Sequence, residues 1–170
     1  MKLNEPIEKV IDVNTGEVKV GKVDVVLRSI AIGSCIVIAA YDGRNKTGGM
    51  AHIMLPGEAP EKESEKTKYA YNAVEMLINL MIQKGSKIED IEVCLVGGGN
   101  VLKKKRDSIC KDNIDSTTAL LAEKQIPVRK TVLGGTTRKG IFLDVENGIF
   151  TYTEGNGPEK LLWKSVSEKD

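Results

Sequence analysis

Two apolar runs, Ile36–Tyr41 and Met50–Leu55, constrain this chain most, with the turn signal Asp42-Gly43-Arg44-Asn45 after the first. Short runs rich in β-branched residues read as strands, and a Gly/Asn/Asp connection turns the second back beside the first. Gly33-Ser34-Cys35 opens the first run, and the second carries His52, the single histidine of the chain. A hairpin here brings Cys35 and His52 to the same end of a sheet, or onto one face if the register permits. A thiol becomes a good nucleophile once a base takes its proton, and imidazole is the usual base. The spacing therefore admits a Cys–His pair. It equally admits a small buried thiol and a hydrogen-bonded core imidazole.

The flanking sequence adds strands. Val10–Val13, Glu17–Val20 and Val23–Ile30 are short and β-branched, with Asn14-Thr15-Gly16 as a turn between the first two. Glu58–Lys66 is polar and reads as a surface loop. The spacing of Ala70, Ala73, Val74, Leu77, Ile78 and Met81 predicts a helix over about 67–84, ended by Gly85. Ile91–Val96 is a buried strand running into Gly97-Gly98-Gly99. Asn113 or Asp115 is placed to cap a second helix reaching about Gln125, and Cys110 lies among charged residues that suggest partial exposure. Val128–Leu133 is a strand. Gly140–Val145 and Ile149–Thr153 form a hairpin across Glu146-Asn147-Gly148. The 154–170 tail is polar except for Leu161-Leu162-Trp163, a trio suited to docking on the body or on a partner. Strands with two main helices give an α/β (α+β) class, and the excess of hairpins predicts mixed, largely antiparallel sheets.

Length and charge narrow the function. A chain of 170 residues suits one domain, 1–170, with its own core. The net charge is +1, with acids and bases interspersed, and no nucleic-acid partner is expected. Lys103-Lys104-Lys105-Arg106 reads as a solvated charge run. No apolar run approaches the roughly 20 residues of a membrane span, so no membrane insertion is expected. Met1-Lys2-Leu3-Asn4-Glu5 lacks the apolar core of a signal peptide. Three cysteines without a CxxC pair point to free thiols in a reducing cytoplasm. One histidine and scattered cysteines do not supply the ligand pairs of a zinc site, and no metal or cofactor is expected. The glycine triplet lacks the P-loop pattern.

Gly33-Ser34-Cys35, then Gly48-Gly49-Met50-Ala51-His52 and Leu55-Pro56, resembles the CheD family of chemoreceptor glutamine deamidases. The resemblance runs over about 25–152, with Gly97-Gly98-Gly99-Asn100, Asn113, Gly134-Gly135, Arg138 and Phe142 in the family's order. It implies a layered α/β/β fold, similar to the catalytic domain of the cytotoxic necrotizing factor toxins. It implies Cys35 as nucleophile and His52 as base. Ser29 is the third member, where the family usually has threonine. Backbone N–H groups around Gly33 and Ser34 would stabilise the oxyanion. The implied partners are chemoreceptor cytoplasmic helices as substrate and a CheC-type phosphatase. The alternative is a non-catalytic or weakly catalytic module that regulates both. Two departures stand out: Cys110 replaces a glycine, and the glycine usual just before the arginine is missing at Arg138.

Overall fold

A computed structural model of the chain describes residues 8–106 and 108–166. Met1–Glu5, read above as lacking a signal-peptide core, and the last four residues of the tail lie outside them. The strands are β1 (Lys9–Asp12), β2 (Val18–Gly21), β3 (Val25–Ile32), β4 (Ile36–Asp42), β5 (Thr47–Ile53), β6 (Ile91–Gly97), β7 (Val128–Leu133), β8 (Lys139–Asp144), β9 (Ile149–Glu154) and β10 (Lys160–Lys164). Helix α1 (Ala70–Gln83) precedes β6 and α2 (Ser108–Glu123) precedes β7. Among the described residues these strands make two five-stranded sheets, β1-β3-β8-β9-β10 and β2-β5-β4-β6-β7. Only β1–β3 and β6–β7 pair in parallel. The sheets are thus mixed and largely antiparallel, as the hairpin pattern predicts.

The second sheet is the middle layer. One of its faces, with Val37, Ala39, Met50, Cys94 and Val96, packs on Leu27, Ile141, Leu143 and Phe150 of the first sheet. Its other face, with Ile38, Ala51, Ile53, Val93 and Leu95, meets Ala73, Val74, Leu77 and Met81 of α1 and Leu121 of α2. This is the layered α/β/β arrangement. It explains why β4 is apolar without alternation: every residue of β4 and β5 is buried. Each fully buried Leu, Ile or Met on α1 contributes about 1.5–3 kcal/mol, which holds the helix to the sheet.

Gly48-Gly49 serves this layering. A Cβ on Gly48 would lie 2.6 Å from Val145, just past β8 of the sheet below, and one on Gly49 would lie 2.5 Å from Leu77 of α1 above. The glycines let both neighbouring layers close on β5 just ahead of His52.

Three sequence expectations change. The second helix starts at Ser108, so Asn113 lies inside it and does not cap it. Cys110 is buried, on the inner face of α2. The tail forms a tenth strand against β9, and Leu162 and Trp163 pack on the inter-sheet core. The Arg129 guanidinium lies 6.0 Å from the Trp163 ring centroid. The trio thus docks on the body, leaving Leu161 exposed.

Candidate active site

The β4–β5 register decides whether the thiol and the imidazole share a face. Val37 pairs with His52 and Ile36 with Ile53. Extended by one residue, that register sets Cys35 two positions from Val37, on the same face, and diagonal to His52. Diagonal neighbours on an antiparallel pair lie about 7–8 Å apart at Cα, within reach of a ring. His52 is 5 % exposed, and Cys35 is half-buried at the open end of the sheet.

The imidazole is held by the segment between β1 and β2. His52 Nδ1 lies 3.1 Å from the Val13 carbonyl oxygen. A carbonyl only accepts, so in neutral His52 Nδ1 carries the proton and Nε2 keeps a lone pair. The same strap holds the backbone of the strand. Gly16 N–H donates to the His52 carbonyl at 2.8 Å, and His52 N–H donates to the Glu17 carbonyl at 3.1 Å. Thr67 Oγ1 ties the Gly16 carbonyl from outside at 2.6 Å.

Ser29 meets this arrangement at one remove. Its buried hydroxyl donates to the Val13 carbonyl at 2.7 Å and lies 3.3 Å from Met50 Sδ. Ser29 and His52 therefore share one acceptor, and Ser29 steadies the carbonyl that orients the ring. Past Ser29, β3 carries an irregularity before Ile32, with Ala31 in the left-handed region at φ +55°. Such a bulge bends the strand as it feeds the Gly33-Ser34-Cys35 turn.

That turn is anchored through its carbonyls. Gly33 C=O accepts from Gly99 N–H at 2.9 Å, and Cys35 C=O accepts from Gly98 N–H at 2.8 Å. Ser34 C=O accepts from Asn113 Nδ2 at 3.0 Å, and the same amide donates to Met54 C=O at 3.1 Å. Among the described residues, the N–H groups of Ser34 and Cys35 donate to no other residue's backbone carbonyl. The Cys35 N–H faces its own sulfur, and the Thr15 hydroxyl on the strap is near enough to favour the thiolate. Gly97 is required here. Its φ is +132°, and a Cβ would come within 2.2 Å of the Cys35 carbonyl oxygen.

Burial sets the charge states. It pushes the Cys35 thiol up, opposed by the Thr15 hydroxyl and the Cys35 N–H. It pushes the His52 imidazole down, opposed by the Val13 bond and the charge of Glu17. At rest the thiol and the imidazole are both neutral; they share a face, diagonal across β4 and β5, with no hydrogen bond between them among the described residues. A cavity of about 90 Å³ opens beside Ser34, walled by Asn100, Val101, Leu102, Ile109 and Cys110.

The structure thus sets Cys35, Gly33 and Ser34 in the turn between β3 and β4, with His52 on the neighbouring strand and Ser29 on β3 of the other sheet, bound to the same Val13 carbonyl as His52. Sequence reasoning missed three contributors. Val13 acts through its backbone, which no side-chain pattern signals. Thr15 lies in a segment that reads only as a turn. Asn113 stands with Cys110, Thr117 and Leu121 on the buried face of α2, a polar residue at apolar spacing, and that spacing was the available signal. Among the described residues no group of three or more His, Cys, Asp or Glu is placed to hold a metal ion.

Comparison with known proteins points the same way. A family model described as CheD chemotactic sensory transduction matches residues 54–154, starting two residues past His52. A protein of Chlorobium luteolum named a probable chemoreceptor glutamine deamidase CheD is 39 % identical over 150 residues, covering 88 % of this chain and 75 % of that protein. A protein of the same name from Methanococcus vannielii is 31 % identical over 149 residues, 86 % of this chain and 96 % of that one. The chemoreceptor glutamine deamidase CheD of Thermotoga maritima is 29 % identical over 160 residues, 94 % of this chain and all of that one. Among solved structures, the Bacillus licheniformis hypothetical protein YfiH overlaps 76 % of this chain and 60 % of that chain with a TM-score of 0.45 and 13 % identity.

Proposed function

Because the chain belongs to the CheD family, we propose that it is a chemoreceptor glutamine deamidase, with residues 1–170 working as one domain. The substrate is a glutamine side chain on a receptor's cytoplasmic helices. The products are glutamate and ammonia. The observation that carries this reading is the Val13 carbonyl on His52 Nδ1, which leaves Nε2 a base on the face shared with Cys35.

The reaction follows from that geometry. His52 Nε2 takes the Cys35 proton as sulfur attacks the side-chain amide carbon, and the carbonyl electrons move onto oxygen. The Cys35 N–H, facing its own sulfur, donates to that oxyanion, and the Ser34 N–H is the next donor in the turn. The oxyanion collapses, the C–N bond breaks, and the departing amine takes the proton from His52 and leaves as ammonia. Water then attacks the thioester, giving its proton to His52. The C–S bond breaks and the thiol is re-formed with that proton. Ser29 acts through the Val13 carbonyl, keeping the acceptor aimed at Nδ1.

A rival reading, a binding module with weak chemistry, draws on one observation: burial raises the Cys35 thiol, so no resident thiolate is set up. The two readings differ in their dependence on His52. In an enzyme, alkylation of Cys35 near neutral pH slows when His52 is replaced. In a module it does not. A CheC-type phosphatase is the further partner proposed, and co-elution of the two proteins tests it. Action on cytoplasmic receptor helices places the protein in the cytoplasm. No helix among the described residues is long and apolar enough to cross a membrane. The deciding experiment is ammonia release from a purified chemoreceptor cytoplasmic fragment, with wild type and Cys35→Ala side by side. Release that survives Cys35→Ala contradicts the reading.

A further inference from the structure

We propose that Asn113 is a positioning residue of the oxyanion hole, holding the Ser34–Cys35 peptide with its N–H turned to where the oxyanion develops. The inference rests on Cys35 being the nucleophile.

In a trans peptide the C=O of one residue and the N–H of the next point in opposite directions. Whatever fixes the Ser34 carbonyl therefore aims the Cys35 N–H. That carbonyl is fixed by Asn113 Nδ2 at 3.0 Å. The neighbouring carbonyls of Gly33 and Cys35 are held by the backbone N–H groups of Gly99 and Gly98. The central peptide of the turn is thus held by a side chain, which substitution can remove without touching the backbone bonds of its neighbours.

The rest of the amide's environment suits this task. Asn113 is wholly buried, in the first half of α2. An amide nitrogen has two N–H donors, and both are used: the second goes to Met54 C=O at 3.1 Å, two residues past His52. One side chain therefore ties the nucleophile turn to the strand end that carries the base. Its Oδ1 has no hydrogen-bond partner among the described residues, and neither does Thr117 Oγ1 one turn later. Helix packing alone would favour an apolar residue at such a position. The asymmetry, with nitrogen doubly bonded and oxygen bare, marks the amino group as what the site needs. Aspartate keeps the shape and offers at most one donor. Alanine offers none.

The test uses Asn113→Asp and Asn113→Ala in the full chain, with two readouts beside wild type. The first is kcat and KM for ammonia release from a chemoreceptor cytoplasmic fragment. The second is the rate at which iodoacetamide alkylates Cys35, which needs the thiol and its base but forms no oxyanion. Loss of a hole donor costs about 100–1,000-fold in kcat. We expect a fall of that size in Asn113→Ala, with KM and alkylation each within about threefold of wild type, the signature of an interaction made in the transition state. A parallel fall in alkylation would overturn the proposal, since Asn113 would then be orienting the imidazole or the thiol. So would an unchanged kcat, or loss of folding in both variants, which would make Asn113 a residue of the fold. Should wild type release no ammonia, the deamidase reading fails by itself. Crystal structures then decide the Asn113 assignment: it stands if the Ser34 carbonyl swings away in Asn113→Ala, and it falls if that carbonyl keeps its direction.

Discussion

Cys35 and Cys94 lie on the same face of the same sheet, and both pack into the inter-sheet core. Burial raises both thiols, that of Cys94 to about 12. By acidity at rest, neither is a nucleophile. Their surroundings separate them. Cys94 pairs with Ala39 in the middle of β6, with no access to solvent. Cys35 stands one residue before β4, half-buried, at the end where the sheet meets solvent. The Thr15 hydroxyl and its own N–H reach its sulfur, and His52 sits diagonal to it. In the proposed mechanism, reactivity comes from position at a strand end, on the face that carries an oriented imidazole. A low resting thiol pKa is not its source.

The largest effect tests the two thiols directly. Cys35→Ala is expected to cut ammonia release by at least about 1,000-fold while leaving thermal unfolding near wild type, because the nucleophile is lost and little core is. Cys94→Ala should do the reverse, keeping activity and losing about 1–2 kcal/mol in chemical denaturation from the small cavity left behind. Iodoacetamide followed by peptide mapping should label Cys35 and spare Cys94 in the native protein. Equal labelling would erase the contrast.

Gly97 joins the two regions, since β6 carries Cys94 and ends against the Cys35 carbonyl. Gly97→Ala is expected to cost about 1–3 kcal/mol from the positive φ and the collision with that carbonyl. Activity should fall with it by more than tenfold, because relief of the collision displaces the nucleophile turn. Retained activity would show that the turn tolerates movement.

The pH profile follows from His52. Burial, only partly offset by Val13 and Glu17, lowers its pKa below the ordinary value of about 6.5. The imidazole must be neutral to accept the Cys35 proton. Hence kcat/KM should rise with pH through a midpoint below 6.5 and be level by neutrality. The same shift makes the unfolded chain the stronger proton binder, so His52's contribution to stability is present above about 6.5 and is lost as pH falls through the folded value. A midpoint well above 6.5 would mean the ring is not held in the buried pocket beside Val13.

Ser29→Ala should have the smallest effect, about three- to tenfold in kcat, because Ser29 touches the Val13 carbonyl and Val13 touches the ring. Ser29→Thr should keep most of the activity, since the hydroxyl survives. A loss in Ser29→Ala as large as in Cys35→Ala would assign Ser29 a direct part in the chemistry.

Much of this was legible in the residues. The apolar runs marked β4 to β6 as strands, the spacing of α1 marked its buried face, and the turn at 42–45 marked the hairpin carrying Cys35 and His52; the layering came from the family resemblance. The missing parts have physical reasons. β10 is short and charged at both ends, and its ladder on β9, not its own pattern, makes it a strand. The start of α2 was hidden by a basic run, and with it the burial of Asn113. The orientation of His52 depends on a main-chain carbonyl, which any residue at position 13 would supply in sequence terms.

In the proposed mechanism the Val13 carbonyl fixes Nδ1–H and leaves Nε2 to serve Cys35. Nitrogen-detected NMR of His52 in the native protein at neutral pH reads this directly. A neutral ring protonated at Nδ1 is expected, with a signal that shifts when Cys35 is alkylated. A ring protonated at Nε2, or one blind to alkylation of Cys35, would contradict it.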